Sequence, residues 1–192
     1  QKVIDVFREA GCRNGVAWVE CIRDTDGHFY LLEMGYRFGG EMVNVPYQYV
    51  SGFNSIRFMI DLAMGKKVTK EDMPHKLDAA YNKCAATYLL FATHDGVIRN
   101  ISGLDVIRQY PNVLLDMPKR EGGVVRYHAT MGVVHISADN IEELCGTIEK
   151  VNQNLKVTDE EGKDMFIYYD DFDSLRHEYN AGLKEFENEV SR

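Results

Sequence analysis

The chain has 192 residues, with 22 Lys and Arg against 30 Asp and Glu, and a formal net charge of −8 at pH 7. That length allows one large domain or two small ones with a sizeable core. The negative charge argues against a nucleic-acid partner or an anionic membrane surface, because both require a basic patch, and no apolar run approaches the length of a membrane span.

The four cysteines are scattered without the spacing of a metal site, which favours free thiols in a reducing, cytoplasmic compartment. The chain opens with QKVIDVFREAG, which has neither an initiator Met nor the pattern of a signal peptide. Its apolar residues keep a helical period, so we predict a helix over residues 1–10. This opening is typical of a cut inside a longer protein, and we therefore expect a fragment.

The first half of the chain predicts a β-hairpin followed by two helices. Residues 15–24 and 28–36 have the composition of strands, and Asp26-Gly27 between them is a strong signal for a two-residue turn. The two helices correspond to MVNVPYQYVSG and FNSIRFMIDLAMG. We assign residues 1–66 to a first domain. Residues 67–80 are polar, lack an apolar period and predict a linker.

Residues 81–192 predict a second, mostly antiparallel α+β domain. Strand patterns occur in AAYNKCAATYLLFATHDGVIRNISGL, NVLLDMP, GGVVRYHATMGVVHISA and DMFIYY. Between the last two, Asp139 as N-cap with Glu142 three residues on predicts a capped helix. A charged helix over about 171–190 closes the chain.

Two glutamates of the predicted hairpin carry the strongest chemical signal. Glu20 and Glu33 each lie six residues from the Asp26-Gly27 turn, so a regular ladder places them directly opposite each other on one face. Like charges so placed destabilise the ladder unless a cation lies between them. Mg²⁺, or Mn²⁺, is suited to such a position because it prefers oxygen ligands. The alternative is a solvent-facing pair whose side chains splay apart.

The segment after Glu33 adds groups that bind anions. Arg37 is a permanent cation that can hold phosphate or carboxylate oxygens in a fork, and Gly39-Gly40 let backbone N–H groups approach an anion. Together with the two glutamates, these residues favour metal-nucleotide chemistry. Trp18, on the face of Glu20, is interpreted as a core residue rather than a stacking platform.

This part of the chain resembles the C-terminal part of an ATP-grasp catalytic domain. The segment from GVAWVECIRDTDGHFYLLEMGYRFGGEM to the helix ending in AMG follows the family pattern of a strand with Glu, a hairpin, Glu-x-Asn-x-Arg, a glycine-containing loop and a helix. The match covers about residues 1–66, and residues 80–170 look like the domain that follows in the family. Within the family, RFGG and DGVIRNISGL resemble the branch of the L-amino-acid ligases and the carbamoyl-phosphate synthetase large subunit.

The resemblance implies a fold, a reaction and roles for individual residues. It implies the C-terminal half of an ATP-grasp domain followed by a smaller antiparallel domain. Glu20 and Glu33 match the metal-binding glutamates, which also hold ATP, and Arg37 matches the arginine that holds the transferring phosphate. Gly39, Gly40 and Glu41 match the loop that positions the substrate. The implied partners are a small carboxylate, an amine and the missing N-terminal part of the same chain, with a homodimer left open.

One position departs from the family pattern. The metal-binding Asn of the family is Gly35 here, and glycine has no side chain to offer. Either water fills that coordination position, or a second Mg²⁺ binds weakly, or activity has been lost. The sequence therefore leaves three functions open. One is an ATP-dependent carboxylate–amine (or carboxylate–thiol) ligase that acts through an acyl phosphate. A second is a catalytically reduced binding or regulatory domain, and a third is a stand-alone interaction domain in which Glu20 and Glu33 are merely structural.

Overall fold

The computed structural model describes residues 2–40, 43–73 and 83–190, and within these ranges the chain forms two compact units. The first comprises described residues from 2–44 and 53–73, and the second those from 45–52 and 83–190. The predicted linker, residues 67–80, lies partly outside the described ranges. Its described part carries a short 3₁₀ helix, Lys70–Asp72, and the predicted domain boundaries stay predictions.

The first unit combines helices with a single antiparallel hairpin. Helix α1 spans Lys2–Glu9, and strands β1, Trp18–Arg23, and β2, Phe29–Gly35, form a two-stranded sheet. Helix α2, Asn44–Ser51, falls largely in the second unit, and α3 spans Ser55–Ala63. Asn54 caps α3, because its side chain accepts a hydrogen bond from the Arg57 N–H at 2.8 Å.

The hairpin turn is longer than the two-residue turn that the sequence predicts. The last paired residues are Arg23 and Phe29, and the loop closes where the N–H of Asp24 donates to the carbonyl of His28 at 3.0 Å. Gly27 supplies the positive φ of 86° that this loop requires. A two-residue turn was therefore the wrong prediction at this position.

The second unit is built on a three-stranded antiparallel sheet. The sheet has the order β3-β8-β6, formed by Cys84–Phe91, Thr130–Ala138 and Val113–Asp116. Two further pairs of short strands flank it. They are β4, Gly96–Val97, with β7, Val124–Val125, and β5, Asn100–Ser102, with β9, Lys156–Thr158.

Helices pack on one face of this sheet to form the core. Helix α4 spans Leu104–Ile107, α5 spans Ile141–Asn154 and α6 spans Phe172–Val190. The α5 side chains that are buried with the inner face of the sheet are Ile141, Leu144, Cys145, Ile148 and Val151, which join Leu90, Val134 and Ile136. This antiparallel α+β architecture is the one that the sequence predicts.

Two details differ from the sequence-based prediction. The N-cap of α5 is Asn140 rather than Asp139, and its side chain accepts from the Glu143 N–H at 2.9 Å. The segment DMFIYY does not form a continuous strand but contributes only isolated bridges at Asp164 and Phe166. Among the described residues, no helix has the length and apolar character needed to cross a membrane.

Candidate functional site

The hairpin places Glu20 and Glu33 opposite each other. They are Cα partners in the β1–β2 ladder, in continuous register with Trp18 and Gly35, which form the pair two positions further along. A β-bulge follows Glu20, where the register moves by one residue and Leu32 is left without a partner. Since directly opposed side chains project from the same face of a sheet, the two carboxylates share one face as predicted.

The two carboxylates have the chemistry of a divalent-cation site. Both residues are exposed, and neither forms a salt bridge with Lys, Arg or His in the described part of the chain. Two opposed negative charges without a protein cation destabilise the hairpin. Hard oxygen donors in this arrangement fit Mg²⁺ or Mn²⁺, and these carboxylates would hold it.

Arg37 lies in the loop directly after β2 and is held by two contacts. One terminal nitrogen (Nη1) donates to the carbonyl of Phe38 at 2.8 Å. The guanidinium carbon lies 5.1 Å from the centroid of the Trp18 ring, within the range of a cation–π interaction. These contacts fix a positive charge beside the strand pair that carries Glu20 and Glu33.

The sequence predicts a core position for Trp18, and the structure gives it a different one. It is only partly buried, and its ring covers Gly35 on the opposite strand. A Cβ atom added at Gly35 would lie 2.6 Å from the indole nitrogen (Nε1) of Trp18 and 3.2 Å from its Cε2. The combination of a large ring at residue 18 with a glycine directly across the ladder is a sequence signal for this packing, and the sequence-based prediction did not use it.

Of the remaining predicted residues, Gly39 and Gly40 lie in the same loop as Arg37. An added Cβ at Gly39 would lie 3.6 Å from Val43 and 4.0 Å from the Trp18 Cβ, whereas Gly40 has no atom within 4 Å of that position. Neither glycine has a positive φ, so the backbone conformation itself does not require glycine at either position. Glu41 lies outside the described residues.

A second cluster of metal-type ligands occurs at the tip of the hairpin. Ligand atoms of Asp24, Asp26 and His28 lie within 4.8 Å of one another. One oxygen of Asp24 already accepts from the backbone N–H groups of Asp26 at 3.0 Å and His28 at 2.8 Å. The hydrogen bond from the His28 backbone is the main cause that lowers the pKa of Asp24 below its ordinary value. We therefore interpret this cluster as the turn that closes the hairpin.

Comparison with solved structures identifies proteins of the same fold. The L-amino acid ligase of Bacillus licheniformis superposes with a TM-score of 0.66 at 21% identity, over 83% of this chain and 39% of that protein. Phosphoribosylglycinamide synthetase of Anaerococcus prevotii gives a TM-score of 0.67 at 13% identity, over 83% and 40% of the two chains.

A third similar structure was solved with a nucleotide. The biotin carboxylase domain of the 2-oxoglutarate carboxylase of Hydrogenobacter thermophilus, a dimer in complex with MgADP, ADP and bicarbonate, matches with a TM-score of 0.55 at 16% identity, over 86% of this chain and 40% of that one. The chain thus spans about two fifths of the length of these proteins. No family model and no curated protein sequence matches it.

Proposed function

We propose that this chain, which has the fold of the ATP-grasp ligases, contributes the metal- and phosphate-binding residues of an ATP-dependent ligase that joins a small carboxylate to an amine. The observation that carries the proposal is the register of the hairpin, which places Glu20 opposite Glu33. The strand of Glu33 leads directly into the loop that contains Arg37. The L-amino acid ligase and the phosphoribosylglycinamide synthetase, with which the chain shares its fold, support this general kind of reaction.

The proposed reaction has two steps. A carboxylate oxygen of the substrate attacks the γ-phosphorus of ATP, and the bond between that phosphorus and the oxygen bridging to the β-phosphate breaks. ADP leaves, and an acyl phosphate is formed. The amine nitrogen then attacks the acyl carbon, inorganic phosphate leaves, and the amine loses a proton to solvent as the amide forms. Each step moves negative charge between oxygens, so correctly placed positive charge accelerates both.

The residues of this chain act by position and charge. Glu20 and Glu33 would hold Mg²⁺, which when bound neutralises phosphate charge. Arg37 binds the oxygens of the transferring phosphate and of the acyl phosphate. We assign Gly39 and Gly40 to the loop that binds the substrate carboxylate, and Glu41 to positioning of the substrate. None of these residues forms a covalent bond to the substrate.

The exposed apolar side chains of the hairpin support the further proposal that other protein covers it. Five of its apolar residues are at least 46% exposed: Ile22, Phe29, Tyr30, Leu31 and Leu32. A two-stranded ribbon without further strands or covering helices is of marginal stability. We therefore propose that the adenine-binding part of the site and the cover of this hairpin are supplied by other protein, and that residues 1–192 alone do not turn over ATP.

A second candidate function follows from Gly35. The indole of Trp18 occupies the space beside Gly35, where the family pattern has a metal-binding side chain. A site with one ligand fewer also fits a catalytically reduced domain that binds nucleotide or a partner without turnover. The two candidates differ in whether an acyl phosphate forms.

Hydroxylamine trapping tests the proposal directly. The full-length protein that carries this chain would be incubated with MgATP, hydroxylamine and a panel of amino acids and other small carboxylates. Hydroxylamine converts an acyl phosphate into a stable hydroxamate and inorganic phosphate. We expect ADP and hydroxamate in equal amounts with at least one carboxylate, and we expect Glu20→Gln and Glu33→Gln to abolish both products.

The matched control is Glu9→Gln, which changes an exposed glutamate of α1 and should leave both products unchanged. Nucleotide binding without hydroxamate for any carboxylate would favour the reduced-domain candidate over the ligase.

A further inference from the structure

Trp18 contacts both Gly35, which the sequence left unexplained, and Arg37. Trp18 and Gly35 are direct partners in the β1–β2 ladder. The edge of the indole that carries Nε1 lies over Gly35, and the guanidinium of Arg37 lies 5.1 Å from the ring centroid. One aromatic side chain thus contacts both the glycine that replaces a ligand and the arginine that is expected to bind phosphate.

We propose that Trp18 is a positioning residue of the ligase reaction, which holds the guanidinium of Arg37 beside the face of Glu20 and Glu33. The proposal rests on the proposed function for its kinetic consequence, but the contact itself does not. It also explains Gly35, because any side chain at residue 35 would displace the ring that holds Arg37.

Arg37 needs such a support because few other contacts with the described residues hold it. It is exposed, it lies in a loop without regular structure, and its one hydrogen bond within the described residues goes to the adjacent carbonyl of Phe38. A long side chain that is free to rotate loses rotamer entropy when it binds phosphate. A charge that is already held in place avoids that loss and acts more strongly on a developing charge.

The backbone conformation of Gly35 does not account for the glycine. Gly35 is absent from the residues with a positive φ, so an L side chain would meet no backbone strain there. The obstacle is the ring alone, since an added Cβ would lie 2.6 Å from Nε1 of Trp18. Gly35 and Trp18 therefore act as one packing unit.

Trp18 contacts Arg37 through the face of its ring, and its indole N–H takes no part in that contact. Nε1 of Trp18 is buried and has no hydrogen-bond partner among the described residues, and a buried donor without an acceptor lowers stability. A Phe at this position would remove that donor and keep an aromatic face toward Arg37. This difference provides a conservative variant for the test.

The kinetic test is a double-mutant cycle in the full-length protein. We expect Trp18→Leu to lower kcat about fivefold, the size of an exposed cation–π contact, and Trp18→Phe to stay within about twofold of wild type. If Trp18 acts through Arg37, Trp18→Leu should cause no further loss in an Arg37→Ala background. A further fivefold loss in that background would overturn the proposal, because it would show that Trp18 acts independently of Arg37.

A spectroscopic test separates this proposal from the proposed function. Trp18 is the single tryptophan of the chain, and its fluorescence is isolated by subtracting the spectrum of Trp18→Phe. We expect Arg37→Ala to expose the ring face to water and to shift the emission of Trp18 to longer wavelength. Arg57→Ala, which changes an exposed arginine of α3 paired with Asp61, should leave that emission unchanged.

The two tests can fail separately. An emission shift in Arg37→Ala together with no ATP turnover in the wild type would contradict the ligase function but support the contact between Trp18 and Arg37. An emission spectrum that Arg37→Ala leaves unchanged would overturn the positioning role, even in an active enzyme.

Discussion

Glu20 lies directly opposite Glu33 because two irregularities of the hairpin cancel. The loop from Asp24 to His28 shifts the register by one residue from that of a two-residue turn, and the bulge at Leu32 shifts it back. Beyond the bulge, the strands pair as though the turn had been the shorter one. The ladder thereby also pairs Trp18 with Gly35, so one bulge determines both the carboxylate face and the position of the indole.

Replacing Arg37 should reduce turnover without unfolding the protein. Its side chain is exposed and lies in a loop, so Arg37→Ala removes charge from the site but no core packing. Loss of one electrostatic group at a reacting centre lowers kcat by about 10²–10³-fold, and we expect that range for hydroxamate formation. Arg57→Ala is the control. The Arg57 side chain is exposed and pairs with Asp61, and loss of such a surface salt bridge should affect turnover little. Full activity of Arg37→Ala would remove this residue from the mechanism.

Adding a methyl group at Gly35 should destabilise the protein, whereas the same change at Gly40 should not. The added Cβ at Gly35 would lie 2.6 Å from Nε1 of Trp18, and overpacking of this kind costs about 1–3 kcal/mol. Gly40 has open space at the corresponding position and no positive φ. Urea denaturation of Gly35→Ala and Gly40→Ala compares the two, and equal midpoints would contradict the packing unit of Trp18 and Gly35. In a Trp18→Leu background the loss at Gly35 should shrink, because the smaller side chain leaves room.

Gly103 should be the least replaceable of the glycines in the second unit. It precedes α4 with φ of 88°, and an added Cβ would lie 2.0 Å from the carbonyl oxygen of Asn154. Because the obstructing atoms belong to the backbone at the end of α5, they cannot rotate away, and we expect Gly103→Ala to cost about 3–5 kcal/mol.

Gly122 separates the two causes of that loss. It has a similar φ of 80° but no atom within 4 Å of an added Cβ, so Gly122→Ala should cost only the conformational strain of about 1–2 kcal/mol. Thermal or urea unfolding of both variants tests the difference. Equal destabilisation would mean that the backbone conformation, and not the close approach to α5, decides the effect.

The sequence predicted the elements of this fold better than their connections. Strand-type composition and the Asp-Gly dipeptide predicted both strands of the hairpin, but neither signal distinguishes a two-residue turn from a longer loop followed by a bulge. The correct pairing of Glu20 with Glu33 therefore came from an incorrect turn. At α5, Asp139 and Asn140 are equally good caps by residue type, and each is followed by a glutamate three residues on, so the sequence does not distinguish between them.

The candidate site shows a different limit of sequence reasoning. The residues with obvious chemistry, Glu20, Glu33 and Arg37, could be identified from their types and spacing, and their roles stay predictions. Trp18 could not, because an aromatic residue in a strand normally indicates a core. Its contact with Arg37 depends on the absence of a side chain across the ladder at Gly35, and such a relationship becomes visible only when the register is known.

The second unit should lose stability on mild acidification because of His135. This histidine is 0% exposed in the central strand β8 and lies between its partners Thr87 and Leu114. Its Nδ1 lies 3.1 Å from the hydroxyl of Thr87, while Nε2 is buried without a partner among the described residues. Burial lowers the pKa of His135 below its ordinary value of 6.5, and the charge of Asp116 on β6 opposes this only in part.

The direction of the pH effect follows from this lowered pKa. Between the two pKa values the unfolded chain binds a proton at residue 135 that the folded protein does not, so stability falls as pH drops through about 6.5 and levels off below the folded-state pKa. Urea midpoints measured between pH 7.5 and pH 5 should decline in the wild type and decline less in His135→Gln. His177→Gln, which changes an exposed histidine of α6, should keep the wild-type decline. An identical decline in His135→Gln and wild type would show that the acid sensitivity arises from other groups.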